Sequence, residues 1–285
     1  MGEPVTEPVR WIIGPCVLAH DGRVALQIAH HLAALAARLG VPIVFKASFD
    51  KANRTRGDSF RGPGLERGLE LLAEIHRQTG LPILTDVHEP WQAEPVAAVA
   101  HILQVPAFLC RQTDLITAVA ATGRVVNIKK GQLLAPEDVV WPVDKARRAG
   151  AAEVWITERG TAFGYHNLVV DPEGLAAMLE LADAGDFEVV FDATHAVQRP
   201  SAQGGVTGGA RQRVPALLRA AAAIGVRRFF LETWPDPDDP RDALSDAANA
   251  VPLASVEALI LQTNAVCDVV RGFLTGPGSG RYDRA

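Results

Sequence analysis

Eight times along this chain a short, nearly unbroken apolar run gives way to a segment whose apolar residues recur at helical spacing. The runs occupy residues 10–16, 41–48, 82–89, 101–108, 125–131, 153–160, 188–195 and 227–233. The helical segments occupy 21–39, 63–79, 90–100, 112–122, 136–149, 172–184, 211–224 and 252–273, and Gly40, Gly80, Gly123 and Gly185 stand where four of them stop. A run that is apolar throughout suits a parallel strand covered on both faces, whereas a strand with one wet face alternates. Strict alternation of strand and helix over 285 residues predicts an α/β fold, a closed (β/α)8 TIM barrel of about 250 residues with short trimmings. The rival is an open doubly wound sheet, which usually carries a glycine-rich phosphate loop after its first strand. Gly14-Pro15-Cys16 stands at that position and favours the barrel. The expected organisation is a loose arm over 1–9, one catalytic barrel over 10–274 and a glycine-rich tail over 275–285.

The apolar runs end abruptly in polar residues: Cys16, Lys46, Asp86 with His88, Gln104, Lys129, Arg159, Asp192 with His195, and Glu232. In a barrel of this kind the C-terminal strand ends converge on one mouth, where chemistry is done. The most abrupt change is at 44–55, where Lys46, Lys51 and Arg54 arrive with Asn53 and Thr55. Several cations aimed at one mouth suit a multiply anionic ligand, most simply phosphate or carboxylate groups. Cys16, His195 and Glu232 supply a thiol, an imidazole and a carboxylate, a set that a divalent transition metal accepts. Each has a structural alternative: a small packing residue, a satisfied interior histidine, an ion-pair partner. Lys130, next to Lys129, is expected on the opposite face of its strand.

The basic residues are local, because the chain as a whole is acidic, with net charge −5 and an isoelectric point near 5.9. That balance argues against a nucleic-acid partner. No apolar run is expected to reach membrane-spanning length, and the N-terminus lacks a signal-peptide pattern. The three cysteines, Cys16, Cys110 and Cys267, are sparse and odd in number, which suits a reducing compartment, the cytoplasm, rather than a disulfide framework.

Ten stretches, in order, resemble the 3-deoxy-D-manno-octulosonate 8-phosphate synthase family: FKASFDKANR, SFRGPGLE, TDVHE, QVPAFLCRQTDL, VNIKKGQ, TERGTAFGY, NLVVD, FDATHAVQ, GVRRFFLET and ALSDAAN. The resemblance runs from about residue 11 to about residue 262. It implies a barrel, usually a homotetramer, that condenses phosphoenolpyruvate with arabinose 5-phosphate and releases phosphate. Lys46, Lys129 and Arg159 match the groups that hold phosphoenolpyruvate. Asn53, Arg54 and Thr55 match the sugar-phosphate grip, with Thr55 where Ser is commoner. Lys51 matches a lysine near the reacting centre, Asp86 and Gln198 line the same mouth, and Arg111 matches an arginine shared with a neighbouring subunit. The metal-requiring branch has Cys where the metal-free branch has Asn, so Cys16 implies a divalent ion (Zn, Fe, Mn or Co) held by Cys16, His195, Glu232 and Asp246. The implied catalytic set is Lys51, Asp86, His195 and Asp246.

The chain also departs from the pattern it resembles. Trp234 stands where His is usual, extra residues 239–242 precede the segment with Asp246, His166 replaces an Asn, and 201–209 lacks a Lys-Ser and reads as a loop. These changes fall at the sugar end and leave the phosphoenolpyruvate end intact. They keep two alternatives open: a related synthase for another aldose phosphate, such as erythrose 4-phosphate, and a silent barrel that senses phosphorylated metabolites. Against the first stands Lys51-Ala52-Asn53-Arg54, where the related synthases carry Lys-Pro-Arg-Thr.

Overall fold

The computed structural model describes residues 8–203, 206–236 and 247–275. Eight parallel strands form the frame: β1 (Arg10–Gly14), β2 (Ile43–Lys46), β3 (Ile83–Asp86), β4 (Ile102–Val105), β5 (Val125–Lys129), β6 (Glu153–Glu158), β7 (Glu188–Asp192) and β8 (Arg228–Trp234). They pair in chain order, and β8 pairs back onto β1 in register from Arg10↔Arg228 to Gly14↔Glu232, which closes the barrel. Helices follow the strands: α1 (Arg23–Leu39), α2 (Leu65–Thr79), α3 (Ala93–Ala97), α4 (Thr113–Ala121), α5 (Val140–Arg148), α6 (Pro172–Gly185), α7 (Val214–Ile224) and α8 (Val256–Thr275).

The strands are apolar throughout because each face meets a different core. Their outward residues, Ile13, Phe45, Leu103, Ile156, Phe191 and Leu231 among them, pack against the helices. Their inward residues near the base, Ile12, Val44, Leu84, Ile102, Trp155, Val190 and Phe230, form a separate cluster inside the barrel. Trp155 fills the base. Its indole N–H donates to Glu153 Oε1 at 2.6 Å, and the Arg10 and Arg228 guanidinium carbons lie 5.4 and 5.8 Å from its ring centroid. Period two then sends the next inward position on these strands, two residues on, to the mouth side.

The helices differ from expectation mostly in how they start. The segment 90–100 forms a 3-10 turn, Pro90–Gln92, and only the short α3. Glu89 and Gln92 close a capping box over that turn, and Pro95 in the next turn brings no N–H donor. The segment 161–171 contains a small antiparallel pair, Thr161–Ala162 with Leu168–Val169. The supposed loop 201–209 belongs to an antiparallel ribbon, Gln198–Gln203 with Val206–Gly209. Its small residues hide the strand signal, since Gly209 packs where a Cβ would strike the Asn249 carboxamide.

The expected arm and tail fall almost wholly outside the described residues, although Val9 is buried against the barrel. One expectation needs correction. The segment Leu253–Phe273 is long and apolar enough, by length and composition, to cross a membrane. In the fold it is the last barrel helix: Val256, Leu259, Ile260 and Cys267 belong to the outer core, and Asn264 Oδ1 accepts from the Trp11 indole at 3.2 Å.

Gly14 marks the tightest strand contact, because a Cβ there would collide with the Lys46 carbonyl oxygen on the adjacent strand. Gly14→Ala is expected to lower unfolding stability by about 1–3 kcal/mol, the usual cost of overpacking. Urea unfolding measures it, and a midpoint equal to that of the parent protein would show that β1 has room to move.

Candidate active site

The inward residues just above the apolar base are Lys46, Asp86, Gln104, Asn127, Thr157, Asp192 and Glu232, all buried. Above them stand Ser48, Lys129 and Arg159, also buried, with His88 and His195 half-buried. The mouth is therefore not a set of cations waiting for an anion, as the strand ends alone suggested. Asp86, Asp192 and Glu232 already balance much of the positive charge. Burying a cation of this kind without a counter-charge would cost several kcal/mol.

Lys46 and Lys129 show how the balance works. The Lys46 ammonium donates to Ser48 Oγ at 3.0 Å and to the Cys16 carbonyl at 3.1 Å, and lies 3.4 Å from Glu232 Oε1. The Lys129 ammonium pairs with Asp192 and sits 3.4 Å from the Phe230 ring centroid. Burial pushes the Lys129 ammonium down to about 8, although Asp192 opposes the shift. Burial also works against the Asp192 carboxylate, but His195 and Lys129 outweigh it and hold that group well below the usual carboxylate range. Asp192 Oδ1 further accepts from the Thr194 hydroxyl and from the backbone N–H groups of Thr194 and His195. Arg159 is buried beside them and donates to Gln198 Oε1 at 2.5 Å. Lys46, Lys129, Arg159 and Gln198 thus share the same mouth, as expected.

The expected metal ligands are placed in part. His195 Nδ1 lies 2.7 Å from Asp192 Oδ2, close but poorly aligned for a hydrogen bond, and Nε2 lies 3.7 Å from Glu232 Oε1. A carboxylate behind one ring nitrogen, with the other facing a second carboxylate, is how metal-binding histidines are commonly set. Glu232 Oε2 is buried and has no hydrogen-bond partner among the described residues. Cys16 is buried at the end of β1, and its carbonyl shares Lys46 with Glu232. In chemical type these residues fit a divalent ion. Yet among the described residues no three His, Cys, Asp or Glu side chains are assembled to hold one. Asp246 lies outside the described residues.

On the other side of the mouth Lys51 stands 3.9 Å from Asp86 Oδ2. Burial raises the Asp86 carboxyl, but Lys46, Lys51 and His88 overcome it and hold the group well below its ordinary range. Burial lowers the neighbouring His88 imidazole. The expected sugar-phosphate grip is not inside the barrel. Asn53 and Thr55 are exposed on the loop after β2, while Arg54 is half-buried and donates through Nε to the Phe60 carbonyl at 3.2 Å. Its Nη2 is buried without a hydrogen-bond partner among the described residues. Arg111 is exposed on the loop after β4. His166 adopts a left-handed backbone, φ 54°, which its Asn counterpart would also tolerate, and its Nδ1 lies 2.6 Å from the Pro200 carbonyl oxygen, tying the 161–169 pair to the ribbon. Lys130 points outward as expected, into a buried pair with Glu158 at 3.2 Å.

Ser48, Asn127 and Thr157 were not singled out in the sequence. They are uncharged and sit within or beside apolar runs, so only the period-two register from the strand-end charges could have found them.

A family model for the DAHP synthetase I family matches residues 6–267. Among curated proteins, a 2-dehydro-3-deoxyphosphooctonate aldolase of Syntrophotalea carbinolica is 52% identical over 265 residues, covering 93% of this chain and 93% of that protein. The protein of the same name from Nitratidesulfovibrio vulgaris is 53% identical over 255 residues, covering 90% of each. That of Thioalkalivibrio sulfidiphilus is 52% identical over 269 residues, covering 94% of this chain and 93% of its own. With matches of this strength along almost its whole length, and a closed barrel whose charged mouth stands where the matching motifs fall, the chain belongs to the DAHP synthetase I family, within its group of 2-dehydro-3-deoxyphosphooctonate aldolases.

Proposed function

We propose that this chain condenses phosphoenolpyruvate with arabinose 5-phosphate and water, giving 3-deoxy-D-manno-octulosonate 8-phosphate and inorganic phosphate. It is a 3-deoxy-8-phosphooctulonate synthase, a transferase. The observation that carries this reading is the buried layer of matched charge under the mouth, in a chain about half identical to proteins named for that product. Lys46, Lys129 and Arg159 bind the phosphate and carboxylate of phosphoenolpyruvate, in place of part of the carboxylate contact that Asp192 and Glu232 make in the free protein. Lys51, next to Asp86, stands on the sugar side. Asn53, Arg54 and Thr55 grip the sugar phosphate from the β2 loop.

In the reaction, C3 of phosphoenolpyruvate bonds to the aldehyde carbon of the sugar while positive charge grows at C2. Water adds at C2 and gives up one proton as the aldehyde oxygen takes one up. Phosphate departs by cleavage of its bond to C2 as the new C2 hydroxyl gives up its proton and becomes the ketone. Asp86 and Asp192 offer fixed negative charge around the cavity in which that positive charge forms. The lysines and Arg159 hold the two substrates at attack distance. Cys16, His195, Glu232 and Asp246 would hold a divalent metal (Zn, Fe, Mn or Co), which would supply Lewis-acid assistance when bound. The buried Glu232 oxygen, without a hydrogen-bond partner among the described residues, and the carboxylate-backed His195 support that ligand set.

The chain works as a homotetramer in the cytoplasm. Arg111 is exposed on a mouth loop, and Trp91, Phe108, Leu133, Phe163 and Tyr165 expose large apolar surface on the loops after β3 to β6. Apolar surface of this extent on a set of adjacent loops suits a second copy, into whose mouth Arg111 reaches.

The direct experiment follows phosphate release from phosphoenolpyruvate with arabinose 5-phosphate, before and after chelation, with erythrose 4-phosphate run in parallel. Turnover is expected with arabinose 5-phosphate alone, lost on chelation and restored by a divalent ion. Preference for erythrose 4-phosphate would overturn the substrate, and indifference to chelator would overturn the metal. Binding of phosphoenolpyruvate without turnover on either sugar would favour the silent sensor. Because burial lowers Lys129 to about 8, its free form loses charge above that pH, and phosphoenolpyruvate binding is expected to weaken from about pH 7 to about pH 9.5. Titration calorimetry reads this directly, and affinity that stays flat over the range would remove Lys129 from the anion grip. Sedimentation equilibrium is expected to give four times the 30.4 kDa chain mass, and Arg111→Ala to lower turnover within an intact tetramer. A monomer with full activity would refute the sharing.

A further inference from the structure

Across β3, β4 and β5, Asp86, Gln104 and Asn127 are register partners. Gln104 Nε2 donates to Asp86 Oδ1 at 2.6 Å, Asn127 Nδ2 donates to Gln104 Oε1 at 2.9 Å, and the Thr157 hydroxyl donates to Asn127 Oδ1 at 2.6 Å. From the other side the Ser48 hydroxyl donates to Asp86 Oδ2 at 2.7 Å. All five side chains are buried, and none but Asp86 carries charge.

The direction of these bonds follows from chemistry. An ammonium has only donors, so Ser48 Oγ must accept from Lys46, and its single proton is left for Asp86. Asp86 therefore receives a proton donor on Oδ2. On Oδ1, an ionised carboxylate also demands a donor. Gln104 must then turn its NH2 toward Asp86 and its oxygen toward Asn127. Asn127 must in turn offer its NH2, and Thr157 must give its hydroxyl proton to the last oxygen. A protonated Asp86 donating through Oδ1 would require both amides to flip and Thr157 to reverse. Every link would change together, among side chains that are buried.

We propose that Gln104, Asn127 and Thr157 are positioning residues for the condensation: one relay, with every donor running toward Asp86, holds that carboxylate as an acceptor facing Lys51. The groups that face Asp86 are Lys46 from β2, Ser48 and Lys51 from the segment beyond it, His88 from its own segment and Gln104 from β4. None of the three relay residues need touch a substrate. Their effect reaches the reaction through the orientation and charge of Asp86, so it belongs in turnover rather than in substrate affinity. The inference rests on the proposed synthase activity and names which buried uncharged groups that activity depends on.

The test is steady-state phosphate release by Thr157→Val and Thr157→Ser, each normalised to folded protein by near-ultraviolet circular dichroism. Valine keeps the shape and removes the hydroxyl, leaving Asn127 Oδ1 without its donor. Loss of one such bond converts to roughly a three- to tenfold fall in kcat for T157V, with KM for either substrate moved less than about twofold. T157S keeps the donor and is expected within about twofold of the parent. Gln104→Met, which removes the link that touches Asp86, is expected to fall further than T157V. A T157V enzyme with parental kcat, a T157S enzyme as slow as T157V, or a change confined to KM would each overturn the relay. Failure of the synthase reading is a different result: the unsubstituted protein would itself release no phosphate.

Discussion

The interior of this barrel depends on matching buried positive charge with buried carboxylate. Lys46 and Lys129 project from β2 and β5 into a space with almost no solvent, and each meets a carboxylate carried by a distant strand, Glu232 on β8 and Asp192 on β7. An unpaired ammonium in such a place would lose its proton or unfold its surroundings. Pairing keeps the cations in place without making them inert. Phe230 offers its ring to Lys129, and burial leaves that ammonium easier to deprotonate than an exposed lysine.

That balance is possible because one short strand does two jobs. Leu84 packs into the base of the barrel and Asp86, two residues on, carries charge into the mouth. Val190 and Asp192 repeat the arrangement on β7, and Phe230 and Glu232 repeat it on β8. The apolar layer below, sealed by Trp155, keeps water from entering from the base and gives the polar layer a rigid floor. Outward residues on the same strands hold the helices, and the Lys130–Glu158 pair, one step from Lys129 and Arg159, anchors the ends of β5 and β6 from behind. Stability and chemistry are therefore separated by side-chain direction as well as by position along the strand.

Much of the fold was legible because parallel strands buried on both faces write a plain pattern: continuous apolar runs, ended by polar residues and answered by helical spacing. The site was legible where it carries charge. Lys46, Asp86, Lys129, Arg159, His195 and Glu232 stand out against apolar neighbours, and the barrel does bring them to one mouth. Two kinds of feature were hidden. The ribbon at 198–209 has only Val206 and Thr207 as β-branched residues among glycines and small polar residues, and it packs against a carboxamide from Asn249, far along the chain. Likewise Asn127 and Thr157 are uncharged and lie within apolar runs, so nothing local marks them as part of a polar layer. The apolar length of the last helix carried the opposite ambiguity, since composition cannot tell a helix packed on a barrel from one that meets lipid.

By itself the amino-acid sequence determined the architecture, the mouth and the chemical kinds of group that face it, because hydrophobic period and strand-end charge are local properties of the chain. Only the tertiary structure decided which charge answers which. Lys46 and Glu232 are far apart in sequence and meet only when β8 closes onto β1, and Lys129 and Asp192 meet only when β5, β6 and β7 pair in register. The pairing of β3 to β6 likewise determines the direction of the Asp86 relay, since each donor is oriented by a partner on the next strand and none of those partners is a neighbour in the chain.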